Sequence, residues 1–245
     1  MGGAVVGTAS RFSDRVSNLL KRVEYRCART HSEKEAVYRL RYNAYIRQGL
    51  IDPNSSGRLH DKVLDHTSNA WITTTLIDGE LASTVRIHVA ADELSPLPSL
   101  APYSDLILPH LQKGRVVVDL TRLAAQLEFA RKYSELPYIA LRPGWMALEH
   151  FTTDVAVATI VAPHQAFYRR VFAFEPWCEP RDYPAFNLKV ACMGLDFQAM
   201  KERVEARYPF LRSTPEEREA LFARATPAQA SARRAPRRAM VQAAE

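Results

Sequence analysis

The sequence predicts an α/β fold in which helices cover both faces of a mixed, mostly antiparallel central sheet. Segments with helical spacing of apolar residues alternate with short strand-like runs between residues 31 and 195. Residues 71–77 and 81–89 are strand-like and flank Asp78-Gly79, which is a typical two-residue turn of a β-hairpin. Residues 115–122 contain three consecutive valines, a pattern typical of a strand that is buried on both faces.

The size and composition of the chain favour one main domain with extra segments at its ends. The chain has 245 residues, of which 47% are hydrophobic, and this is enough for a sizeable core. We predict an amphipathic helix and arm in residues 1–30, the main domain in residues 31–212, and a helix with a disordered tail in residues 213–245. The tail is rich in arginine, alanine and proline and has few large apolar residues.

The net charge of +6 is located at the two ends of the chain. Residues 1–29 and residues 224–245 each carry a net charge of +4, so residues 30–223 carry −2. A folded body that is close to neutral argues against a domain that reads nucleic acid. We therefore predict no nucleic-acid partner, and binding through the arginine-rich ends is the alternative.

Cysteine content and hydropathy predict a cytoplasmic protein. Cys27, Cys178 and Cys192 are widely spaced and odd in number, which is untypical of a disulfide framework or a zinc site. No segment is as long and apolar as a transmembrane helix, and the first residues lack the pattern of a signal peptide. The basic face of the first helix leaves peripheral contact with a membrane open.

Two helices and a loop are predicted before the hairpin. Apolar residues recur at helical spacing between residues 11 and 26, which predicts the first helix. The second helix is predicted over residues 32–48, with Ser32 as its N-cap and Gly49 as its stop signal. Residues 51–61 contain proline, asparagine, serine and glycine, which favours a loop.

Four further elements are predicted after the strand that carries the valines. Residues 91–114, before that strand, are rich in proline and are expected to be irregular. The later elements are a helix at 138–151, a strand at 155–161, a helix at 163–172 and a last strand at 187–193.

The valine-rich strand carries an acid and a base three residues apart, Asp119 and Arg122. An unpaired charge in a buried strand would cost several kcal/mol, so each group needs a partner or a ligand. Residues three apart point to opposite faces of a regular strand, so the two side chains share a face only if a bulge interrupts it. A kinked strand with charges at its break is a candidate reaction centre, and a structural ion pair is the alternative.

A set of polar residues extends this candidate centre across the predicted domain. In chain order the set is Arg41, Tyr45, Asp65, Arg86, Asp119 and Arg122. This order resembles the acyl-homoserine-lactone autoinducer synthases and, more closely, the long-chain N-acyl amino acid synthases. Both are branches of the GCN5-related N-acyltransferase fold. The resemblance covers about residues 31–195 and identifies residues 31–212 as an acyltransferase domain.

The resemblance implies a splayed pair of strands in the central sheet. In relatives the thioester of an acyl carrier protein or coenzyme A lies in the gap, and the fatty chain is buried between the strands. Asp119 would orient or deprotonate the incoming amine, directly or through water. The basic residues would fix the acid cluster and meet anionic substrate groups. The implied substrate-binding set includes Arg41, Tyr45, Asp65, Arg86 and Arg122.

Aminolysis of a thioester also requires groups that stabilise the oxyanion and protonate the leaving thiolate. Backbone N–H groups freed by a bulge within residues 120–124, including those of Leu123 and Ala124, are candidates for the oxyanion. Tyr168 lies where this fold often places a tyrosine that protonates the thiolate, and His164 is placed to hand protons to it. The alternatives are a plain core tyrosine and a surface histidine.

Several positions separate the chain from the autoinducer synthases. Ile51 stands where those enzymes carry tryptophan and Lys62 where they carry aspartate, in the segment that helps hold S-adenosylmethionine. Residues 40–45 and 163–168 look instead like the N-acyl amino acid synthases. The glycine-rich pyrophosphate loop is missing after Ala125, which favours acyl carrier protein over coenzyme A as the donor. That carrier is acidic, and the terminal arginines would offer it a surface.

We therefore predict an N-acyltransferase that moves a fatty acyl chain from a carrier thioester to the α-amine of an amino acid or similar small amine. Acyl carrier protein is the expected donor and coenzyme A the other possible one. No metal and no cofactor beyond this co-substrate are implied. The alternatives are an autoinducer synthase of the acyl-homoserine-lactone type and a catalytically silent member of the fold that binds acyl carrier protein or lipid.

Overall fold

Seven strands form one sheet in the computed structural model, which describes residues 3–184 and 186–223. The strands are β1 (Val23–Cys27), β2 (Ala70–Ile77), β3 (Glu80–Ala90), β4 (Val117–Ala125), β5 (Val155–Ile160), β6 (Glu175–Pro176) and β7 (Ala191–Asp196). Their order is β1-β2-β3-β4-β5-β7-β6, and all neighbours are antiparallel except β4 and β5. The predicted mixed, mostly antiparallel sheet is confirmed.

Helices lie on both faces of this sheet, as predicted. The helices are α1 (Gly3–Leu20), α2 (His31–Arg47), α3 (Leu100–Leu111), α4 (Leu127–Lys132), α5 (Leu136–His150), α6 (Ala162–Phe172), α7 (Phe197–Arg207) and α8 (Pro215–Phe222), with a 3-10 turn at Pro209–Leu211. Trp145 of α5 belongs to the core that contains Val118 and Leu120 of β4. Ile107 of α3 packs with Val117, whose side chain alternates to the other face.

Strands β4 and β5 separate halfway along their length. They pair in parallel from Val117 opposite Val155 to Leu120 opposite Ala158. Beyond that point β5 continues only with β7, through Thr159 and Ile160, while β4 continues with β3. The predicted splayed strand pair is confirmed, and it leaves a gap in the sheet beside residues 121–125.

A β-bulge lies in β4 at the start of this gap. Thr121 pairs with Arg86 and Ala124 with Thr84, so two residues of β4 lie opposite the single residue between Thr84 and Arg86. One of these two residues, Arg122, has a φ of 57°, in the left-handed region. The guanidinium of Arg122 lies over the ring of Tyr45 of α2, so the bulge turns this side chain to the α2 face. The bulge predicted from the acid–base spacing is present.

The N-terminal elements differ from the prediction in two ways. The first helix ends at Leu20, and Val23 begins the edge strand β1, so the predicted helix over residues 11–26 is wrong at its C-terminal end. Alternation of side chains in VEYRC and pairing with β2 outweigh the helical spacing there. The N-cap of α2 is Thr30 and not Ser32, because Thr30 forms a capping box with Glu33.

The segment at 91–114, expected to be irregular, contains α3. Tyr103, Ile107 and Leu111 recur every four residues and are buried, so apolar spacing outweighs the proline content. The helix is broken at Tyr103, where the backbone leaves the helical region. The last long strand is β7 at residues 191–196 and not 187–193, because the backbone N–H of Asn187 bonds to Leu50 in a loop.

Both ends of the described chain pack against the domain. Val16 and Leu19 of α1 belong to the main hydrophobic core, and so do Leu221 and Phe222 of α8. The tail predicted to be disordered, residues 224–245, lies outside the described residues. Within residues 3–184 and 186–223, no helix is both long and apolar enough to span a bilayer.

The capping box of α2 allows a direct test, because this helix carries Arg41 and Tyr45. The Thr30 side chain accepts a hydrogen bond from the N–H of Glu33, and the Glu33 carboxylate accepts one from the N–H of Thr30. We expect Thr30→Ala to lower the free energy of unfolding by about 1 kcal/mol in chemical denaturation. Ser32→Ala is the matched control and should change it much less; equal effects would contradict the assignment of Thr30 as the cap.

Candidate active site

A buried network of charged side chains lies between α2 and the sheet. Nη1 of Arg41 donates to both carboxylate oxygens of Asp65, at 3.0 and 3.1 Å. Nη1 of Arg86 donates to the same carboxylate at 3.0 Å. All three side chains are at most 1% exposed. The structure therefore brings Arg41, Asp65 and Arg86 together in one hydrogen-bonded group.

The electrostatics of this network favour an ionised carboxylate. Burial alone would raise the pKa of Asp65, but Arg41, Arg86 and the N–H of Asp61 outweigh it and lower the pKa to about 2. Burial lowers the pKa of Arg41, although Asp65 opposes this effect. Two guanidinium groups thus share one buried carboxylate, and the more exposed Asp61 lies 3.9 Å from Arg86.

Asp119 is fully buried and is held by Ser99. Its carboxylate accepts hydrogen bonds from the N–H of Ser99 at 2.8 Å and from the hydroxyl of Ser99 at 3.0 Å. Burial raises the pKa of Asp119 to about 6, although the bonds from Ser99 and the charge of Arg86 oppose the rise. The structural ion pair with Arg122 that was considered for Asp119 is not formed; the carboxylate is bonded to Ser99 at the start of α3, and the guanidinium of Arg122 lies against Tyr45 and Phe186.

His88 lies opposite Asp119 on the same face of the sheet. Burial and the charge of Arg86 lower the pKa of His88 to about 3, so the ring is neutral near pH 7. One ring nitrogen, Nε2, lies 2.9 Å from the carbonyl of Leu64 and donates to it, because a carbonyl can only accept. The side chain thus adds no charge beside Asp119.

A cleft of about 170 Å³ opens where β4 leaves β5. One wall is formed by β4 from Leu120 to Ala125. The other described residues that line it are Tyr45, Gln48, Leu50, Thr159, Ile160, Val161, His164, Tyr168, Tyr183, Phe186 and Val190. The cleft therefore combines an apolar floor with tyrosines and one arginine.

Arg122 is the charged residue that lines this cleft. Its guanidinium carbon lies 5.8 Å from the ring centre of Tyr45 and 5.1 Å from that of Phe186. Its Nη1 is buried and has no hydrogen-bond partner among the described residues. An arginine that lies beside two packed rings and has a donor without a partner is suited to bind an anionic group.

Tyr168 and His164 both reach the cleft from α6. Tyr168 is buried, and burial together with the nearby Tyr45 raises its pKa above the usual value, so its hydroxyl keeps its proton at neutral pH. His164 is exposed near the start of α6. Tyr168 also lines a second, much smaller apolar cavity with Leu120, Trp145 and Phe174.

The predicted site residues thus separate into two layers. Tyr45, Arg122, Leu123, Ala124, His164 and Tyr168 line the cleft. Arg41, Asp65, Arg86 and Asp119 are buried and are not among the residues that line it. Among the described residues, no group of three histidine, cysteine or acidic side chains is arranged to hold a metal ion.

Four residues of the site were missed by sequence reasoning. Ser99 holds Asp119, Thr121 accepts a hydrogen bond from Arg86, and Tyr183 and Phe186 close one side of the cleft. Tyr183 and Phe186, on either side of Pro184, were a usable signal. Large aromatic side chains in a loop usually pack against another part of the protein or bind a ligand. No pattern in the sequence marks Ser99.

The buried network predicts a large cost for the loss of its carboxylate charge. We expect Asp65→Asn to lower the free energy of unfolding by about 3–5 kcal/mol in urea denaturation, because two guanidinium groups would lose their counter-ion. Since the folded-state pKa of Asp65 is depressed, this stabilisation should be present above about pH 4 and lost as pH falls towards 2. Asp78→Asn, in the exposed ion pair with Arg22, is the control and should have a small effect. Equal losses would contradict the structural role of Asp65.

Comparisons with known proteins give a family match and matches of the fold. A family model described as the N-acyl amino acid synthase FeeM matches residues 36–196 of the chain. The solved structure of FeeM, an N-acyl amino acid synthase from uncultured soil microbes, is 15% identical and covers 77% of this chain and 98% of that chain, with a TM-score of 0.63. No curated protein sequence gives a significant match.

A second solved structure is that of BjaI, a CoA-dependent acyl-homoserine lactone synthase, with SAM and isopentyl-CoA. It is 12% identical and covers 77% of this chain and 88% of that chain, with a TM-score of 0.52. At such low identities the two solved structures show only a shared fold. The family model matches more than half of this chain and therefore establishes the family. The predicted resemblance is confirmed: the chain belongs to the FeeM family of N-acyl amino acid synthases and is an N-acyltransferase.

Proposed function

We propose that this N-acyltransferase moves a fatty acyl chain from a carrier thioester to the α-amine of an amino acid or similar small amine. The observation that carries the proposal is the cleft at the separation of β4 and β5, with the buried acid Asp119 on the same strand. A thioester reaches such a gap with its carbonyl beside the strand edge. The amine then approaches from the side on which Asp119 lies.

The apolar part of the cleft supports a fatty acyl group as the transferred group. Leu120, Ile160 and Val161 line it, and Leu120 and Tyr168 also line the small apolar cavity beside it. Burial of a methylene group contributes roughly 0.8 kcal/mol, so each carbon that enters this region adds to donor affinity. The part of the cleft wall that would face the amine is more polar, since it contains Arg122, Tyr45 and Tyr183.

The chemistry divides among three groups of the site. Asp119 accepts the proton that the amine loses, through water, because its carboxylate is buried behind the cleft wall. The backbone N–H of Leu123, where β4 has no pairing with β5, stabilises negative charge on the carbonyl oxygen, whereas the N–H of Ala124 points to Thr84 of β3 and is not available for this role. Tyr168 donates its proton to the leaving thiolate, and His164 at the cleft wall returns a proton to it.

The donor in this proposal is acyl carrier protein. No glycine follows Ala125 in residues 126–131, so the backbone offers no glycine-rich loop for the pyrophosphate of coenzyme A. Arg47 ends α2, and its side chain contacts the carbonyl of Ala125, a residue of the cleft wall. Such a base suits an acidic carrier protein. The terminal arginines that were predicted to add to this surface, in residues 224–245, lie outside the described residues.

The proposal is tested by turnover of purified protein with acyl carrier protein thioesters and amino acids. Free thiol and an N-acyl product, identified by mass spectrometry, are the expected result. Asp119→Asn should lower kcat/KM by about 100-fold or more, because the proton acceptor is lost. The pH profile should fall below about pH 6 in the wild type, where Asp119 gains its proton, and the variant should lack this inflection.

The control for this experiment is the stability of the same two proteins. Because the folded-state pKa of Asp119 is raised above its unfolded value of about 4, its free-energy contribution becomes less favourable as pH rises from 4 to 6. Asp119→Asn should remove this dependence without a large loss of melting temperature. Equal losses of turnover and melting temperature would make Asp119 structural. A wild type without turnover that still binds the carrier would favour the silent member of the fold.

The free donor of Arg122 predicts that the acceptor carries a carboxylate. We expect wild-type kcat/KM to be at least about 10-fold higher for an amino acid than for the amine that lacks only its carboxylate, because a charged hydrogen bond contributes about 1.5–3 kcal/mol. Arg122→Gln should remove most of this preference by raising KM for the amino acid. Arg39→Gln, an exposed arginine of α2, is the matched control. An unchanged preference in Arg122→Gln would contradict this role.

A further inference from the structure

Thr121 has a position that its neighbours in β4 do not share. It directly follows Leu120, the last residue of β4 that pairs with β5, and it directly precedes the bulge at Arg122. Its side chain points to the same face as Asp119 and lies opposite Arg86. Unlike Asp119, Thr121 lines the cleft. It is therefore where the buried polar layer meets the space that substrate would occupy.

The hydrogen bond to Thr121 fixes how its hydroxyl can act. Nε of Arg86 donates to Oγ1 of Thr121 at 3.1 Å. A guanidinium can only donate, so the hydroxyl is the acceptor in this contact and keeps its own hydrogen for another partner. Among the described residues, Arg86 is the only hydrogen-bond partner of this hydroxyl. The free hydrogen is thus available to a group inside the cleft.

The charge behind Thr121 makes this hydrogen a strong donor. Arg86 and Arg41 share the single buried carboxylate of Asp65, so this part of the network carries more positive than negative charge. Asp61, at 3.9 Å from Arg86, is about one quarter exposed and is screened by solvent more than the buried pair. A guanidinium that donates to a hydroxyl oxygen draws electron density from it and strengthens the O–H as a donor.

We propose that Thr121 is a catalytic residue whose hydroxyl donates a hydrogen bond to the thioester carbonyl oxygen as this oxygen becomes an oxyanion. This inference rests on the proposed acyl transfer. The amine nitrogen forms a bond to the carbonyl carbon, and the π electrons of the carbonyl move to its oxygen. The oxyanion then reforms the carbonyl, the carbon–sulfur bond breaks, and the sulfur leaves with its electron pair. The nitrogen loses one proton and the thiolate gains one, so the overall step is balanced.

This role also explains why the ion network lies where it does. Arg41, Asp65 and Arg86 do not line the cleft, so they can be hydrogen-bonded to a substrate there only through a residue that does line it. Thr121 is the residue that connects the two layers by a hydrogen bond. Donors that are fixed before the reaction stabilise a developing charge without the cost of reorienting solvent. The buried pair fixes Arg86, and Arg86 fixes the oxygen of Thr121.

The test compares Thr121→Val, Thr121→Ser and the wild type with the same carrier thioester and amine. The valine variant keeps the shape and removes the hydroxyl, so we expect kcat to fall about 100- to 1,000-fold with KM of both substrates changed less than about threefold. The serine variant keeps the hydroxyl and should stay within about tenfold of wild type. Thr74→Val, which removes a buried hydroxyl that bonds to Arg26 on β1, is the control and should keep its kcat.

Each other outcome has a definite meaning. A valine variant with wild-type kcat, or one whose loss is matched by Thr74→Val, would overturn the catalytic role of Thr121 and leave the acyl transfer intact. A raised KM for the amine with unchanged kcat would make Thr121 a binding residue for the acceptor and would also overturn it. A serine variant as slow as the valine variant would show that packing, and not the hydroxyl, is required. Absence of wild-type turnover with every carrier thioester and amine would instead overturn the proposed function, and this inference with it.

Discussion

The separation of β4 from β5 is the constraint on which the rest of the site depends. A strand within a sheet normally has both edges paired, yet β4 loses one neighbour after Leu120 while it keeps the other. The bulge at Arg122 raises the local twist of β4 at this point, which moves its free edge away from β5. The resulting gap provides a cleft between two strands that are anchored in the core, and the loop that carries Tyr183 and Phe186 closes one side of it.

The arginines of the site differ in freedom, and this difference organises its electrostatics. Arg41 and Arg86 are immobilised by one carboxylate and are sealed from solvent. Arg122 has no such partner among the described residues and is positioned by the rings of Tyr45 and Phe186 instead. A fixed positive charge behind the wall and an available one in the wall create a field that favours anionic groups in the cleft. At Asp119, two residues before Thr121 in β4, burial raises the pKa by more than the positive charge of Arg86 lowers it.

Local patterns predicted much of this arrangement, and long-range contacts account for what they missed. The hairpin around Asp78-Gly79 and the bulge between Asp119 and Arg122 follow from turn chemistry and from strand periodicity, which act over a few residues. The partner of Asp119 did not follow, because Ser99 lies twenty residues away in a proline-rich segment whose apolar spacing was overlooked. Likewise the predicted helix over residues 11–26 includes most of β1, because the pairing of β1 with β2 is a contact between residues about fifty positions apart.

The hold of Ser99 on Asp119 links the acidity of the site to a part of the chain that does not form its walls. Ser99 is absent from the cleft lining, and it sits at the start of α3, which packs on the far portion of β4 and β5. A shift of α3 by a fraction of an ångström would lengthen both bonds to the carboxylate and change its proton affinity while the cleft kept its shape. Residues 91–114 therefore influence the proton affinity of Asp119 although none of them lines the cleft.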